Sequence, residues 1–290
     1  MKNYKIIKSV SHKNFRINIL EHNNTINEDI MATLIFNIII NSKFTSYEIN
    51  DKDIMDVLVD ECDNRTNAKG FDLNNGSEFE LITNKFLVDK FEHLQLTKGD
   101  LFVVDSGIDV LTYNNRHNKL NISEVKSSAK KSIDNQRDKN IFIKKIKESL
   151  ESQLCKKRKT GKQTRNLIKV SKNTFDKNIA DSIIDILKTL NKNSVQINNI
   201  LPTIKENIEL NSFIWCSSSL NVDINDIKNL LSDNTDKCVF CGKAYCKSYE
   251  ILNENNIIYN LYINRFADKF DFKSYLEKLS AKLKEYSDGL

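Results

Sequence analysis

A chain of 290 residues with 44 Lys and Arg against 39 Asp and Glu has a formal net charge of only +5, and it is long enough to bury a substantial core as one large domain or two modest ones. The run MATLIFNIII at 31–40 is too short to span a bilayer and contains Asn37, which excludes it as a membrane helix. No charged start, apolar centre and small-residue cleavage site precede the fold, so the expected location is the cytoplasm, where the six cysteines would be reduced or metal-bound.

In chain order, KIIKSV and FRINIL within residues 2–20 alternate and read as two strands, with EHNNT at 21–25 as the break. Thr25 or Asn27 can cap a helix from 28 to 41, whose Ile30, Leu34, Ile38 repeat has the helical period. A second helix is expected from 51 to 62, with Asp60, Glu61 and Asp63 as its polar end rather than as ligands. After NAKGFDLNNGS, the stripe Phe79, Ile82 and Phe86 predicts a helix over 77–91, flanked by Glu78 and Glu80. Either glutamate could reach a metal, or both could simply favour the positive N-terminal end of the helix. A strand near 101–104 leads into the central stretch.

That stretch is GIDVLTYNNRHNKLNISEVKSS at 107–128. It reads as a β-hairpin with Asp109 on the first arm, Glu124 and Lys126 on the second, and NNRHN as the turn. Strand side chains alternate, so Glu124 and Lys126 share one face while Val125 points into packing. If the arms pair, Asp109 lies beside Glu124, and two carboxylates and an ammonium gather where a hard divalent cation could sit. His117, in the loop and expected near this centre, could touch substrate, with a solvated loop histidine as the plainer reading.

Beyond it, a helix over 133–154 turns Ile143, Ile146, Leu150 and Leu154 inward, followed by the basic, exposed CKKRKTGKQTR at 155–165. From Lys126 to Lys172 there are 16 Lys and Arg against 4 Asp and Glu, a local net of +12 that leaves −7 elsewhere. Such a basic segment suits a polyanion, since each phosphate contact releases condensed counterions. Lys130, Lys131, Lys156, Lys157, Arg158 and Lys159 are the candidate nucleic-acid contacts. A solvated lysine-rich helix is the plainer alternative.

An amphipathic helix is expected over 175–190, an inner strand at SFIWCSS (212–218), a helix at DINDIKNLLS capped by Asp223, a strand at NIIYNLYINRF and a helix over 272–286. CVFCGKAYC supplies Cys238, Cys241 and Cys246, and with Cys216 these could form a four-thiolate structural zinc site. Buried reduced thiols are the alternative. No phosphate-loop or G-x-S-x-G motif is present, which disfavours nucleotide-driven motors and ordinary serine hydrolases.

The order of a helical glutamate (Glu78 or Glu80), G-x-D (Gly107, Asp109) and E-x-K (Glu124, Lys126) resembles the PD-(D/E)xK nuclease superfamily over roughly residues 76–154. Ile108 stands where the eponymous motif has proline. The resemblance implies an α/β (α+β) fold with a restriction-endonuclease-like core, a mixed central sheet flanked by helices. It implies Mg²⁺ or Mn²⁺ held by Asp109 and Glu124, catalysis by Lys126, and a polar residue such as Gln136 near the site. The expected division is an N-terminal extension (1–75), a nuclease core with a basic helical insertion (76–220), and a cysteine-bearing C-terminal region (221–290). The spacing is also loosely similar to the HamA nuclease subunits of Hachiman antiphage defence systems. The implied function is a metal-dependent endodeoxyribonuclease in a bacterial restriction or defence system, working on DNA beside a helicase or motor subunit and away from membranes. The alternative is a non-catalytic, zinc-stapled nucleic-acid or partner-binding protein with Asp109, Glu124 and Lys126 as a surface salt-bridge ladder.

Overall fold

The computed structural model describes residues 4–12, 15–22, 25–41, 51–67, 82–83, 93–95, 109–114, 116–127, 135–155, 172, 176–190, 205–217, 225, 258–268 and 270–289. Among the described residues, seven strands, β1 (Tyr4–His12), β2 (Phe15–His22), β3 (His93–Gln95), β4 (Val110–Asn114), β5 (Lys119–Ser127), β6 (Ile208–Ser217) and β7 (Ile258–Phe266), form one sheet in the order β1-β2-β7-β6-β5-β4-β3. The pairings β2–β7, β7–β6 and β6–β5 are parallel, and β1–β2, β5–β4 and β4–β3 are antiparallel. The parallel centre requires long crossovers, and helices stand in them: α1 (Glu28–Asn41) and α2 (Asp51–Asn67) follow β2, while α3 (Asn135–Cys155) and α4 (Lys177–Leu190) separate β5 from β6. The helix α5 (Phe272–Asp288) closes the chain.

Alternation along the strands gives the sheet two different faces. Val125, Phe213, Trp215 and Tyr262 point to one face and share an apolar core with Met31, Ile35 and Ile39 of α1, Met55 and Val59 of α2, and Leu276, Leu279 and Leu283 of α5. Each such side chain contributes about 1.5–3 kcal/mol through removal from water. The opposite face of β5 and β6 is covered by α3, which buries Phe142, Ile146, Leu150 and Leu154. The molecule is therefore a mixed α/β structure, its sheet flanked by helices on both faces. Among the described residues no helix is long and apolar enough to cross a membrane.

Local signals account for the helix ends. Asn27 Oδ1 accepts the Ile30 N–H at 2.9 Å, capping α1, and Asp271 Oδ1 accepts the Lys273 N–H at 3.0 Å, capping α5. α1 and α5 are tied at these caps, since Glu28 Oε1 accepts the Asp271 N–H at 2.6 Å and Lys278 pairs with Asp29 at 2.7 Å. Asp63, the polar end of α2, is bound from α5 by Lys284 at 2.9 Å and Ser280 at 2.7 Å.

The hydrogen bonds from Lys284 and Ser280 hold the Asp63 carboxyl below the ordinary aspartate value of 3.8. A depressed carboxylate pKa stabilises the fold above the unfolded value, and that contribution disappears as pH falls through the folded one. Because Asp63 and Lys284 are both about half exposed, the expected cost of Asp63→Asn at pH 7 is only about 0–1 kcal/mol. Urea denaturation of both proteins should show this difference shrinking as the pH drops below 3.8.

The N-terminal strands and α1 and α2, expected as an extension, belong to the same sheet and the same apolar core as β5, β6 and β7. Of the helix expected over 77–91, only Ile82 and Thr83 are described, both helical and buried. The strand expected near 101–104 lies outside the described residues, as does all of the 223–232 helix except Asn225.

Candidate active site

The β4–β5 hairpin is paired from Asn114↔Lys119 to Val110↔Ser123, and one further step along that register brings Asp109 opposite Glu124. Glu124 and Lys126 extend towards α3, while Val125 enters the apolar core on the other face. Lys126 Nζ donates to Glu124 Oε1 at 2.5 Å and to the Val125 carbonyl at 3.2 Å, and meets Asp109 Oδ2 at 3.5 Å. The two carboxylate oxygens therefore lie within about 6 Å of each other, the most that contacts of 2.5 and 3.5 Å to one ammonium allow. Asp109 Oδ2 also accepts the Val125 N–H at 2.9 Å, which fixes the carboxylate against β5.

Burial separates this trio from an exposed ladder of ion pairs. The Glu124 side chain is 1% exposed, Asp109 16% and Lys126 24%, so only the aspartate and the ammonium reach solvent. Desolvation works to lower the Lys126 pKa, but the charges of Glu124 and Asp109 and their hydrogen bonds together outweigh it, and the net direction is upward. Lys126 is thus held as a cation.

Glu124 rests on a bed of buried polar side chains that sequence reading missed. Ser152 Oγ, on the last turns of α3, donates to Glu124 Oε1 at 2.7 Å, the oxygen that Lys126 also binds. Ser149 hydrogen-bonds Ser212 of β6, and the Tyr259 hydroxyl of β7 donates to the same Ser212 oxygen. Gln153 Nε2 donates to Ser212 Oγ at 3.0 Å and to the Asn211 carbonyl at 2.5 Å. Burial pushes the Tyr259 phenol far up, with nearby Glu124 acting in the same direction, so it stays protonated and remains a donor. The only sequence signal for this bed was a run of polar letters, SLESQ, where the inward Leu150 and Leu154 continue.

Two expectations are corrected. His117 is not near the trio: it sits at the closed end of the hairpin, while Glu124 and Lys126 stand at the open end of β5. Nine residues separate His117 from Lys126, about 30 Å of extended chain. There the His117 Nδ1 meets Glu209 Oε1 at 2.9 Å and Asn114 Nδ2 at 3.2 Å, in a turn completed by Asn118 at φ 53°, a left-handed conformation that asparagine tolerates. Gln136 is likewise at the wrong end of its helix. Ser152 marks the part of α3 that touches Glu124, and Gln136, sixteen residues earlier, is about 24 Å away along the axis.

Cys216 is fully buried on β6 and in no disulfide, whereas Cys238, Cys241 and Cys246 lie outside the described residues. Glu78, Glu80, Gly107, Lys130, Lys131, Lys156, Lys157, Arg158 and Lys159 also lie outside them. Among the described residues no three Asp, Glu, His or Cys side chains gather as a ready-made metal cluster. What the trio offers is a carboxylate oxygen from each of Asp109 and Glu124 and the Val125 carbonyl, all turned to one ammonium. That all-oxygen set has the donor chemistry of a Mg²⁺ or Mn²⁺ site, and Lys126 marks the point at which a cation is stabilised.

No protein-family model matches the chain, and no curated protein matches it significantly.

Proposed function

We propose that this chain is a divalent-metal-dependent nuclease that hydrolyses phosphodiester bonds of DNA at the Asp109, Glu124, Lys126 site. The observation that carries the reading is that a glutamate with 1% exposure is kept beside a partly open aspartate and lysine. An arrangement that costly to desolvate is common where chemistry needs it and is otherwise replaceable by apolar packing.

Asp109 and Glu124 would hold the metal through their carboxylates, with the Val125 carbonyl as a further oxygen donor. When bound, the cation supplies Lewis acidity towards phosphate and water. Lys126 supplies an ammonium donor beside the two metal-holding carboxylates. Its ammonium can hold the attacking water or bond the phosphate oxygen on which negative charge grows; the water oxygen joins phosphorus, the bond from phosphorus to the leaving oxygen breaks, and the water's proton ends on that leaving oxygen. Ser149, Ser152 and Gln153 close the back of the site, so solvent and substrate enter from the Asp109 and Lys126 side. The +12 segment from Lys126 to Lys172 is the part of the chain suited to tracking the DNA backbone.

Incubation of the purified protein with plasmid and linear DNA, with and without Mg²⁺ or Mn²⁺, tests this reading. Wild-type protein should cut only with metal, and Asp109→Ala and Glu124→Ala should abolish cleavage and lower Mn²⁺ affinity at least about tenfold. Metal-independent cutting, or cutting that survives both substitutions, would remove the site from the reaction. The defence role and the helicase or motor partner rest on the sequence resemblance. A protein silent alone should therefore be assayed again together with a candidate helicase or motor partner.

A further inference from the structure

We infer that Ser152 is a positioning residue for Glu124: its hydroxyl, delivered by the buried C-terminal turns of α3, fixes the carboxylate in the orientation that can hold a divalent cation. This rests on the metal-site reading above. Glu124 Oε1 receives two donors from different elements, Lys126 Nζ at 2.5 Å from its own strand and Ser152 Oγ at 2.7 Å from α3. The lysine contact is the one that a metal would compete with, because the ammonium occupies the point on which the oxygens converge. The serine contact is neutral and comes from the buried helix, so it can persist when a cation replaces the ammonium.

The supply of that hydroxyl is itself over-determined. Ser149, Ser152 and Gln153 are all at most 1% exposed, and their helix end is docked on the sheet through polar contacts. Ser149 and Gln153 both bind Ser212, Gln153 also takes the Asn211 carbonyl, and Tyr259 donates to Ser212 from the next strand. Apolar packing tolerates a sliding or rotated helix, whereas a set of buried hydrogen bonds is satisfied in one register only. In that register Ser152 faces Glu124. Outer-shell partners of metal ligands commonly contribute 10–100-fold to metal affinity or activity by fixing ligand orientation.

The test is Mn²⁺ binding alone, measured by titration calorimetry or electron paramagnetic resonance, on the whole chain carrying Ser152→Ala, Ser152→Thr or Ser280→Ala. Ser152→Ala should weaken Mn²⁺ binding about tenfold or more, while Ser152→Thr, which keeps the hydroxyl, should recover most of it. Ser280→Ala removes a buried hydroxyl that bonds Asp63, away from the site, so it should lower thermal stability while leaving Mn²⁺ affinity within about threefold. Equal affinity in wild type and Ser152→Ala, or equal losses in Ser152→Ala and Ser280→Ala, overturns the positioning role. If wild type itself binds no Mn²⁺, the metal-site reading falls. The positioning role is then decided by crystal structures of wild type and Ser152→Ala: a rotated Glu124 carboxylate supports it and an unmoved one overturns it.

Discussion

Replacing Lys126 by alanine is expected to lower the rate of metal-dependent DNA cleavage by about 10²–10³-fold while changing DNA affinity only a few-fold. The size follows from what the ammonium is placed to do. A preorganised donor aimed at developing charge in a partly desolvated site stabilises the transition state by about 3–4 kcal/mol, whereas one phosphate contact among the many available in the basic segment adds little to ground-state binding.

The substitution also leaves Glu124, at 1% exposure, without its ammonium. Breaking a fully buried pair typically costs about 3–5 kcal/mol, and with Lys126 24% exposed the loss should be nearer 1–3 kcal/mol. Turnover must therefore be compared at saturating DNA and Mg²⁺, at a temperature where circular dichroism shows both proteins folded. A variant that cuts within a few-fold of wild type under those conditions would show that Lys126 is not part of the chemistry. The direction of its pKa adds a second check. A raised lysine pKa means that its stabilising charge is fully present below the ordinary value of 10.5 and is lost only as pH rises through the higher folded value. Stability conferred by Lys126 should thus be unchanged from neutral pH to about pH 10.

The second large effect lies on the other face of the sheet. Phe213 is fully buried on β6 and stacks on Tyr262 of β7 with ring centroids 4.2 Å apart and planes 3° from parallel. Phe213→Ala should cost about 3–5 kcal/mol, through lost transfer energy, the cavity left between the sheet and the helices, and the lost ring contact. Denaturant unfolding measures the loss directly. Because Phe213 points away from Ser212 and Glu124, the variant should retain near-wild-type cleavage at temperatures where it is folded. A loss below about 1 kcal/mol would mean that this face is far less tightly packed than its burial implies.

How much of this was legible in the residues depends on the range of the interaction involved. A cap at Thr25 or Asn27 and the helical period of Ile30, Leu34 and Ile38 placed α1 at Glu28–Asn41, although Asn27 is the cap and the buried stripe is Met31, Ile35 and Ile39 while Ile30 is exposed; alternation in NISEVKS put Glu124 and Lys126 on one face and Val125 on the other. His117 was misplaced because a hairpin loop is near in sequence to both arms, yet a nine-residue strand carries the open end far from it. Ser149, Ser152 and Gln153 were invisible because polar letters on a helix look like a solvated face. Their partners Ser212 and Tyr259 arrive from distant strands, Ser212 lying 63 residues beyond Ser149.

By itself, then, the sequence determined the local elements and the convergence of Asp109, Glu124 and Lys126 on one hairpin, because backbone dihedrals and side-chain alternation repeat over a few residues and leave a readable period. Only the tertiary structure decided that β7 lies between β2 and β6, and that the C-terminal turns of α3 sink a polar surface beneath Glu124. Strand order and the satisfaction of buried hydrogen bonds depend on which distant segments meet, and that is fixed by the packing of the whole chain rather than by any stretch of it.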